Sequence, residues 1–249
     1  HLAISYSSLD VPDYEEAVKW HRKAAEQGQV DAQHNLGICY ENGLGTLKRK
    51  TEAAKWFRKA AEQGYADSQA RLGYAYAHGE GVAKDAKEAV KWYRKAAEQG
   101  HSEAQRMLGC CYSLGQGVAK SPKEAVKWYR KAAEQGDVLA LWLLGVAYSR
   151  GHGVEKDDEQ AAEWYGKAAM KGHMGAQFEL GECYREGKGV DLDMAESGKW
   201  YRKAAEQGHA KAQYYVGVMY ASGWGGVKVD KVEAAKWFRK AKEQGEPVD

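Results

Sequence analysis

Tryptophan recurs at residues 20, 56, 92, 128, 164, 200 and 237, five times at an interval of 36 and once at 37. Each lies in a segment close to A-x-x-W-[YF]-x-K-A. A glycine comb keeps step with it: Gly28, Gly64, Gly100, Gly136, Gly172, Gly208 and Gly245 close "AAEQG"-type segments. A third comb pairs Leu-Gly with a Tyr three residues on, as in Leu36-Gly37-Tyr40, Leu72-Gly73-Tyr76, Leu108-Gly109-Tyr112, Leu144-Gly145-Tyr148 and Leu180-Gly181-Tyr184, relaxed to Val216-Gly217-Tyr220. Self-similarity at this period restricts the chain to a solenoid or another array of stacked units.

Within a unit the spacing is helical. Ala53, Trp56, Phe57 and Ala60 fall at i, i+3, i+4 and i+7, with Glu52, Lys55, Arg58 and Lys59 on the other face. Gly64 then stops the helix, because glycine takes the left-handed C′ conformation without a Cβ penalty. Ser68, Leu72, Ala75 and Tyr76 form the stripe of a second helix, which ends at Gly79-Glu80-Gly81-Val82. No segment alternates with period two over a useful length, so the chain reads as all-α. Two such helices bury too little alone, and stacking of neighbours supplies the core. Mid-helix glycines such as Gly73 cost about 1 kcal/mol each relative to alanine. Their recurrence predicts a close helix–helix approach that a Cβ would block.

The 249 residues carry a formal net charge of +2, giving no pole for a nucleic-acid or anionic-membrane partner. Hydrophobic residues at 44% exclude disorder by low hydrophobicity. The longest apolar run, Val138 to Tyr148, falls short of the ~20 residues that span a bilayer. With no charged leader, no initiator Met and a start inside a repeat, a soluble fragment or processed form is expected. The expected organisation is a partial repeat over 1–28, six full units forming one solenoid domain over 29–245, and a tail over 246–249.

Comparison of copies separates constant from changing positions. Ala, Leu, Gly and Tyr of the first helix hardly change, nor does Trp of the second, and all are assigned to packing. The sixth residue of each full unit changes freely: His34, Ala70, Arg106, Trp142, Phe178, Tyr214. The tenth (Ile38, Tyr74, Cys110, Val146, Glu182, Val218) and the thirteenth (Glu41, Ala77, Ser113, Ser149, Arg185, Ala221) lie on the same face. First helices of stacked pairs line a concave wall. The expected protein-binding surface is therefore His34, Tyr74, Arg106, Trp142, Val146, Phe178, Glu182, Arg185 and Tyr214, types in which aromatic and Arg anchors recur. On this reading Trp142→Ala leaves melting nearly unchanged and weakens partner binding.

Other constellations carry no chemistry. The G-x-G loops at 43–45, 79–81, 115–117, 151–153 and 187–189 follow helices and lack the third glycine of a dinucleotide fingerprint. Cys39, Cys111 and Cys183 share one slot two copies apart, too far for a disulfide, and Cys110 adjoins Cys111. They read as small buried thiols, leaning toward a reducing compartment. His101, His173 and His209 share the slot after the glycine stop and read as a tolerant helix-start position. No metal ligand set, cofactor site or catalytic base–nucleophile pair is expected.

Residues 104 to 136 closely resemble the Sel-1-like repeat family, relatives of the tetratricopeptide repeat. The match runs through Ala104, Leu108-Gly109, Tyr112, Gly115, Gly117-Val118, Ala125, Trp128-Tyr129, Ala132-Ala133 and Gly136. Departures are Thr46 and the basic Lys48-Arg49-Lys50 in the first full unit, and the inserted residue in Gly223-Trp224-Gly225-Gly226. The identical runs at 87–100 and 123–136 point to recent duplication or consensus engineering. The resemblance implies a right-handed α/α superhelix of 36-residue helix-turn-helix repeats. It also implies a non-enzymatic adaptor that holds a peptide or protein segment on its concave face. Two alternatives accompany it: an architectural array self-associating end to end, and, remotely, a β-lactam-binding or hydrolysing enzyme. The hallmark of the cysteine-rich relatives with that last activity is a Cys pair in each repeat, absent here.

Overall fold

Each copy of the repeat is filled by two helices of thirteen residues joined by short glycine turns. The computed structural model describes residues 14–247. Residues 1–13 of the expected partial repeat and residues 248 and 249 of the tail lie outside the described residues. Contacts divide the chain into two compact units, one up to Lys120 and one from Ser121. The first holds α1 (Tyr14–Glu26), α2 (Val30–Asn42), α3 (Lys50–Glu62), α4 (Ala66–His78), α5 (Ala86–Glu98) and α6 (Ser102–Leu114). The second holds α7 (Pro122–Glu134), α8 (Val138–Arg150), α9 (Asp158–Met170), α10 (Met174–Glu186), α11 (Met194–Glu206), α12 (Ala210–Ser222) and α13 (Lys231–Glu243). A short 3-10 turn, Trp224–Gly226, occupies the loop with the inserted residue. Among the described residues there is no strand. The chain is an all-α repeat solenoid, with even-numbered helices as the first of each pair.

The turns are made by main-chain and capping chemistry. Asp85, Ser121, Asp157, Asp193 and Asp230 cap the odd-numbered helices by accepting from backbone N–H groups of the first turn. At the other junction His101, His173 and His209 cap through Nδ1, accepting from the N–H of Ala104, Ala176 and Ala212. Asp137 does the same for Ala140. The slot read as tolerant thus has a defined task, and histidine meets it by presenting a neutral ring nitrogen. In the return loop Gly81 has φ +72°, and a Cβ there would lie 2.1 Å from the Lys50 carbonyl oxygen. The loop therefore seats directly on the start of the preceding odd-numbered helix.

The mid-helix glycines are explained by the aromatic residue that follows each Trp. A Cβ on Gly37, Gly73, Gly145, Gly181 or Gly217 would come within 2.4–2.7 Å of the ring of Phe57, Tyr93, Tyr165, Tyr201 or Phe238. Each ring lies across its partner helix where the glycine leaves room. The expected close approach is present, and a ring crossing a helix makes it. Leu36, Leu72, Leu108 and Leu144 are fully buried beside the paired alanines of the odd-numbered helices.

Buried polar groups are paired in a repeating way. Gln33, Gln69, Gln105, Gln177 and Gln213 each donate to a carbonyl of the preceding odd-numbered helix, at 3.0–3.2 Å. Gln63, Gln99, Gln207 and Gln244 donate in turn to Gln33, Gln69, Gln177 and Gln213 at 2.7–2.8 Å. One copy has Leu141 and Lys171 at these two positions, so both members of the pair are replaced together. The tryptophans depart from the expectation of core. Only Trp92 is buried; Trp56, Trp128, Trp164, Trp200 and Trp237 are half-buried, and Trp20 is 60% exposed. Each has the ammonium of the lysine three residues on over its ring, at 3.9–4.7 Å. They form a boundary layer with cation–π cover.

Candidate functional site: the variable face of the even-numbered helices

In the first unit a cavity of about 400 Å³ opens along α2, α4 and α6. His34, Tyr74, Arg71, Asp67, His101 and Glu103 are among its lining residues, with Tyr93 contributed by α5. Tyr74 is 45% exposed and stacks on His78 at 4.0 Å. His34 is buried, with Nδ1 2.8 Å from the Ser68 hydroxyl and its ring 4.8 Å from that of Tyr65. Burial, and then the charge of Arg71, hold its pKa below the ordinary histidine value. Arg71 pairs with Glu41, and His101 Nε2 lies 3.2 Å from Asp67. Arg106 is half-buried and 3.5 Å from Glu103. The Tyr93 hydroxyl is enclosed without a hydrogen-bond partner, and burial raises its pKa strongly.

The second unit holds the remaining nominated residues. Trp142 is half-buried, stacked on His173 at 5.2 Å, with its indole nitrogen enclosed and unpartnered. Phe178 stacks on His209 at 4.4 Å and contacts the Tyr201 ring at 5.6 Å. Tyr214 packs 5.7 Å from both Tyr215 and Phe238. Val146 is half-buried. Glu182 and Arg185 form an ion pair at 2.8 Å. Arg185 also reaches the Tyr201 hydroxyl at 3.1 Å and lies over the Tyr215 ring at 5.5 Å. Tyr201 donates to Glu182, which closes the network. Burial pushes the Glu179 carboxyl above the usual carboxylate range, reinforced by the charge of Glu182.

In three copies the side chain at the sixth position packs on the first residue of the next copy. His34 meets Tyr65, Trp142 meets His173 and Phe178 meets His209. The varying stripe is thus partly matched across neighbouring copies. Trp142→Ala removes the stack on His173, so melting is expected to fall, unlike the outcome drawn from sequence. The phenol hydroxyls of Tyr93 and Tyr201 were missed by sequence reasoning, which assigned that aromatic wholly to the scaffold. The Tyr/Phe alternation at 57, 93, 129, 165, 201 and 238 was the available signal, because a buried hydroxyl needs a partner that phenylalanine does not.

None of the four cysteines is in a disulfide; Cys39, Cys111 and Cys183 are buried and Cys110 is half-buried. Burial pushes the Cys111 thiol up to about 11 and the Cys183 thiol up to about 12. Both stay protonated and unreactive at neutral pH. Among the described residues no group of three or more His, Cys, Asp or Glu is placed to hold a metal ion. None of their helices is long and apolar enough to cross a membrane.

Comparisons with known proteins agree with this architecture. The Sel1 repeat model matches seven consecutive segments, 3–29, 30–65, 66–101, 102–137, 138–173, 175–209 and 210–246. A search of the curated proteins found no match. Among solved structures, the chain is similar to a protective antigen present in uropathogenic Escherichia coli strains, described as displaying an SLR fold. The identity is 42% and the TM-score 0.89, over 92% of this chain and 49% of that one. The chain thus spans about half the length of that relative. A Sel1 repeat protein from Oxalobacter formigenes is 38% identical with a TM-score of 0.83, over 93% of this chain and 94% of that one. Sel1 repeat proteins are in general protein-interaction scaffolds. Seven matched repeats and these two relatives make the chain a member of the Sel1 repeat family.

Proposed function

We propose that this protein is a non-enzymatic interaction scaffold that holds an extended peptide or protein segment along its even-numbered helices. The observation that carries the reading is the 400 Å³ cavity on α2, α4 and α6, where changing positions coincide with the unpaired Tyr93 hydroxyl. Tyr74 offers an exposed aromatic surface, His34 and Met107 a softer wall, and Asp67 and Glu103 charge. The Tyr93 hydroxyl is a buried polar atom that a bound main chain could satisfy, and an unmet buried donor costs roughly 1–3 kcal/mol. In the second unit Glu182, Arg185 and Tyr201 form a prepared polar cluster flanked by aromatic rings. Preorganised groups of this kind lower the ordering cost of binding.

The test starts from a peptide-display library panned on the intact protein, with enriched peptides measured by calorimetry. Binding weakened at least tenfold by Tyr74→Ala and by Arg185→Ala, and unchanged by Lys59→Ala on the opposite side, supports the reading. Tyr74→Ala is expected to leave the melting temperature within about 2 °C, since an exposed substitution costs within ~0.5 kcal/mol. Peptides whose affinity ignores both substitutions, or no enrichment at all, overturn it.

A further inference from the structure

A second cavity, of about 440 Å³, opens in the second unit against α9, α10 and α11. One residue sets it apart from the corresponding cavity of about 360 Å³ on α1, which keeps its arginine, Arg22. In four other copies an Arg two residues after the Trp bonds a tyrosine hydroxyl eighteen residues on. Arg22 donates to Tyr40 at 2.6 Å, Arg94 to Tyr112 at 2.9 Å and Arg130 to Tyr148 at 2.6 Å. Arg58 bonds Tyr76 in the same way, and Arg202 lies over the Tyr220 ring at 5.7 Å. At the equivalent place in α9 stands Gly166, and Tyr184, eighteen residues on, has no hydroxyl partner among the described residues. Gly166 and Tyr184 both line the cavity.

Packing does not account for this glycine. A Cβ at 166 would meet nothing within 4 Å, in contrast to the 2.4 Å clash at Gly145 of the same copy. It therefore costs α9 about 1 kcal/mol of helix propensity with no contact in return.

The surroundings have changed with it. Glu163 stands where α3, α5, α7, α11 and α13 all have lysine. The result is three acids and one lysine in α9, a net −2, where α5 and α7 each carry four basic groups and two acids, a net +2. Glu159 also lines the cavity and has no ion-pair partner among the described residues, whereas Glu163 is held by Lys167 at 2.6 Å. Trp200 supplies an indole wall, and Met170, also lining the cavity, is 73% exposed.

We propose that this cavity is a docking site for an arginine side chain supplied by a partner protein. The site lies apart from the surface proposed above to hold a peptide. The chain's own copies show how a guanidinium sits there: it donates to the tyrosine hydroxyl and lies near the aromatic ring. Here the hydroxyl of Tyr184 and the carboxylate of Glu159 are left for a guanidinium from outside, beside the indole of Trp200, over whose ring Lys203 already lies at 4.0 Å. A planar fork of N–H donors suits two separate oxygen acceptors better than an ammonium does.

The test uses N-acetyl-argininamide as probe, with N-acetyl-citrullinamide as its uncharged isostere, and reads the Trp200 indole N–H resonance of the intact protein. The expected result is a saturable shift with the arginine probe and at least a fivefold weaker response to the citrulline one. Gly166→Arg should abolish the shift, because the chain's own guanidinium then takes the Tyr184 hydroxyl as Arg22, Arg94 and Arg130 take theirs, and Tyr184→Phe should weaken it at least threefold. Gly166→Ala should keep it, which separates competition by a resident guanidinium from a change in helix propensity. No saturable shift in the wild type, an undiminished shift in Gly166→Arg, or equal responses to both probes overturns the proposal. These outcomes are independent of whether any peptide binds the even-numbered helices.

Discussion

Two glycines of one copy, Gly145 and Gly166, are equally helical and have opposite expected effects when replaced by alanine. At Gly145 the new Cβ would fall 2.4 Å from the Tyr165 ring, which is buried and cannot retreat. Overpacking of this kind costs typically 1–3 kcal/mol, more than the ~1 kcal/mol that alanine returns in helix propensity. Gly145→Ala is expected to lower the melting temperature. Gly166→Ala gains the propensity with no clash and is expected to raise it by roughly 2–4 °C. Thermal unfolding of the two variants side by side checks both signs. The need for glycine at 145 was legible in the sequence, because a costly residue recurring in every copy demands a contact. The ring that demands it was not, since nothing in a linear pattern says which aromatic crosses which helix. Gly166 was visible as the one break in a run of arginines, but that Tyr184 shares its cavity came only from the structure.

At the scale of helices, the N-caps of α10 and α12 depend on neutral histidines. Burial lowers the pKa of His173, and burial with the nearby Lys211 lowers that of His209. The unfolded chain, with ordinary histidines near 6.5, takes up protons first as the pH falls. Stability is therefore full above about pH 6.5 and is lost as the pH drops through the lowered folded-state value. Protonation also removes the Nδ1 lone pair that accepts from Ala176 or Ala212. His209→Asn keeps a good cap and removes the titration, so its melting temperature should fall less between pH 7 and pH 5 than that of the wild type. An unchanged slope in that pH series would count against the caps as its source. The helices themselves were plain from the 3.6-residue stripes. Which histidine nitrogen does the capping, and that Trp142 and Phe178 lean on the next copy's cap, came only from geometry.

For the molecule as a whole, the period gave the solenoid and its stacked helix pairs, because every copy repeats the same stripes. It did not mark the division between Lys120 and Ser121, where consecutive copies have nearly the same sequence. Each unit has its own buried cluster, with Leu36, Tyr40 and Phe57 in one and Tyr201, Val216 and Met219 in the other. Stability in such an array is a sum over copies and their interfaces. Separate chains covering 1–120 and 121–249 are expected to be helical by circular dichroism and to melt cooperatively, each below the intact protein. A coil spectrum from either would show that its cluster is insufficient alone. The proposed binding face was only half legible, since the changing positions stood out while their mutual stacking did not.

The glutamine relay bears on how such a chain can change length. Each side-chain amide pair, such as Gln69 with Gln99, closes inside one copy, and the bond to the preceding copy is made to a main-chain carbonyl. A carbonyl is present whatever residue carries it. In-frame gain, loss or shuffling of whole copies therefore strands no amide, and even the copy with Leu141 and Lys171 can be moved without leaving an orphan. Natural variants of this architecture should differ by multiples of the full module far more readily than by single helices.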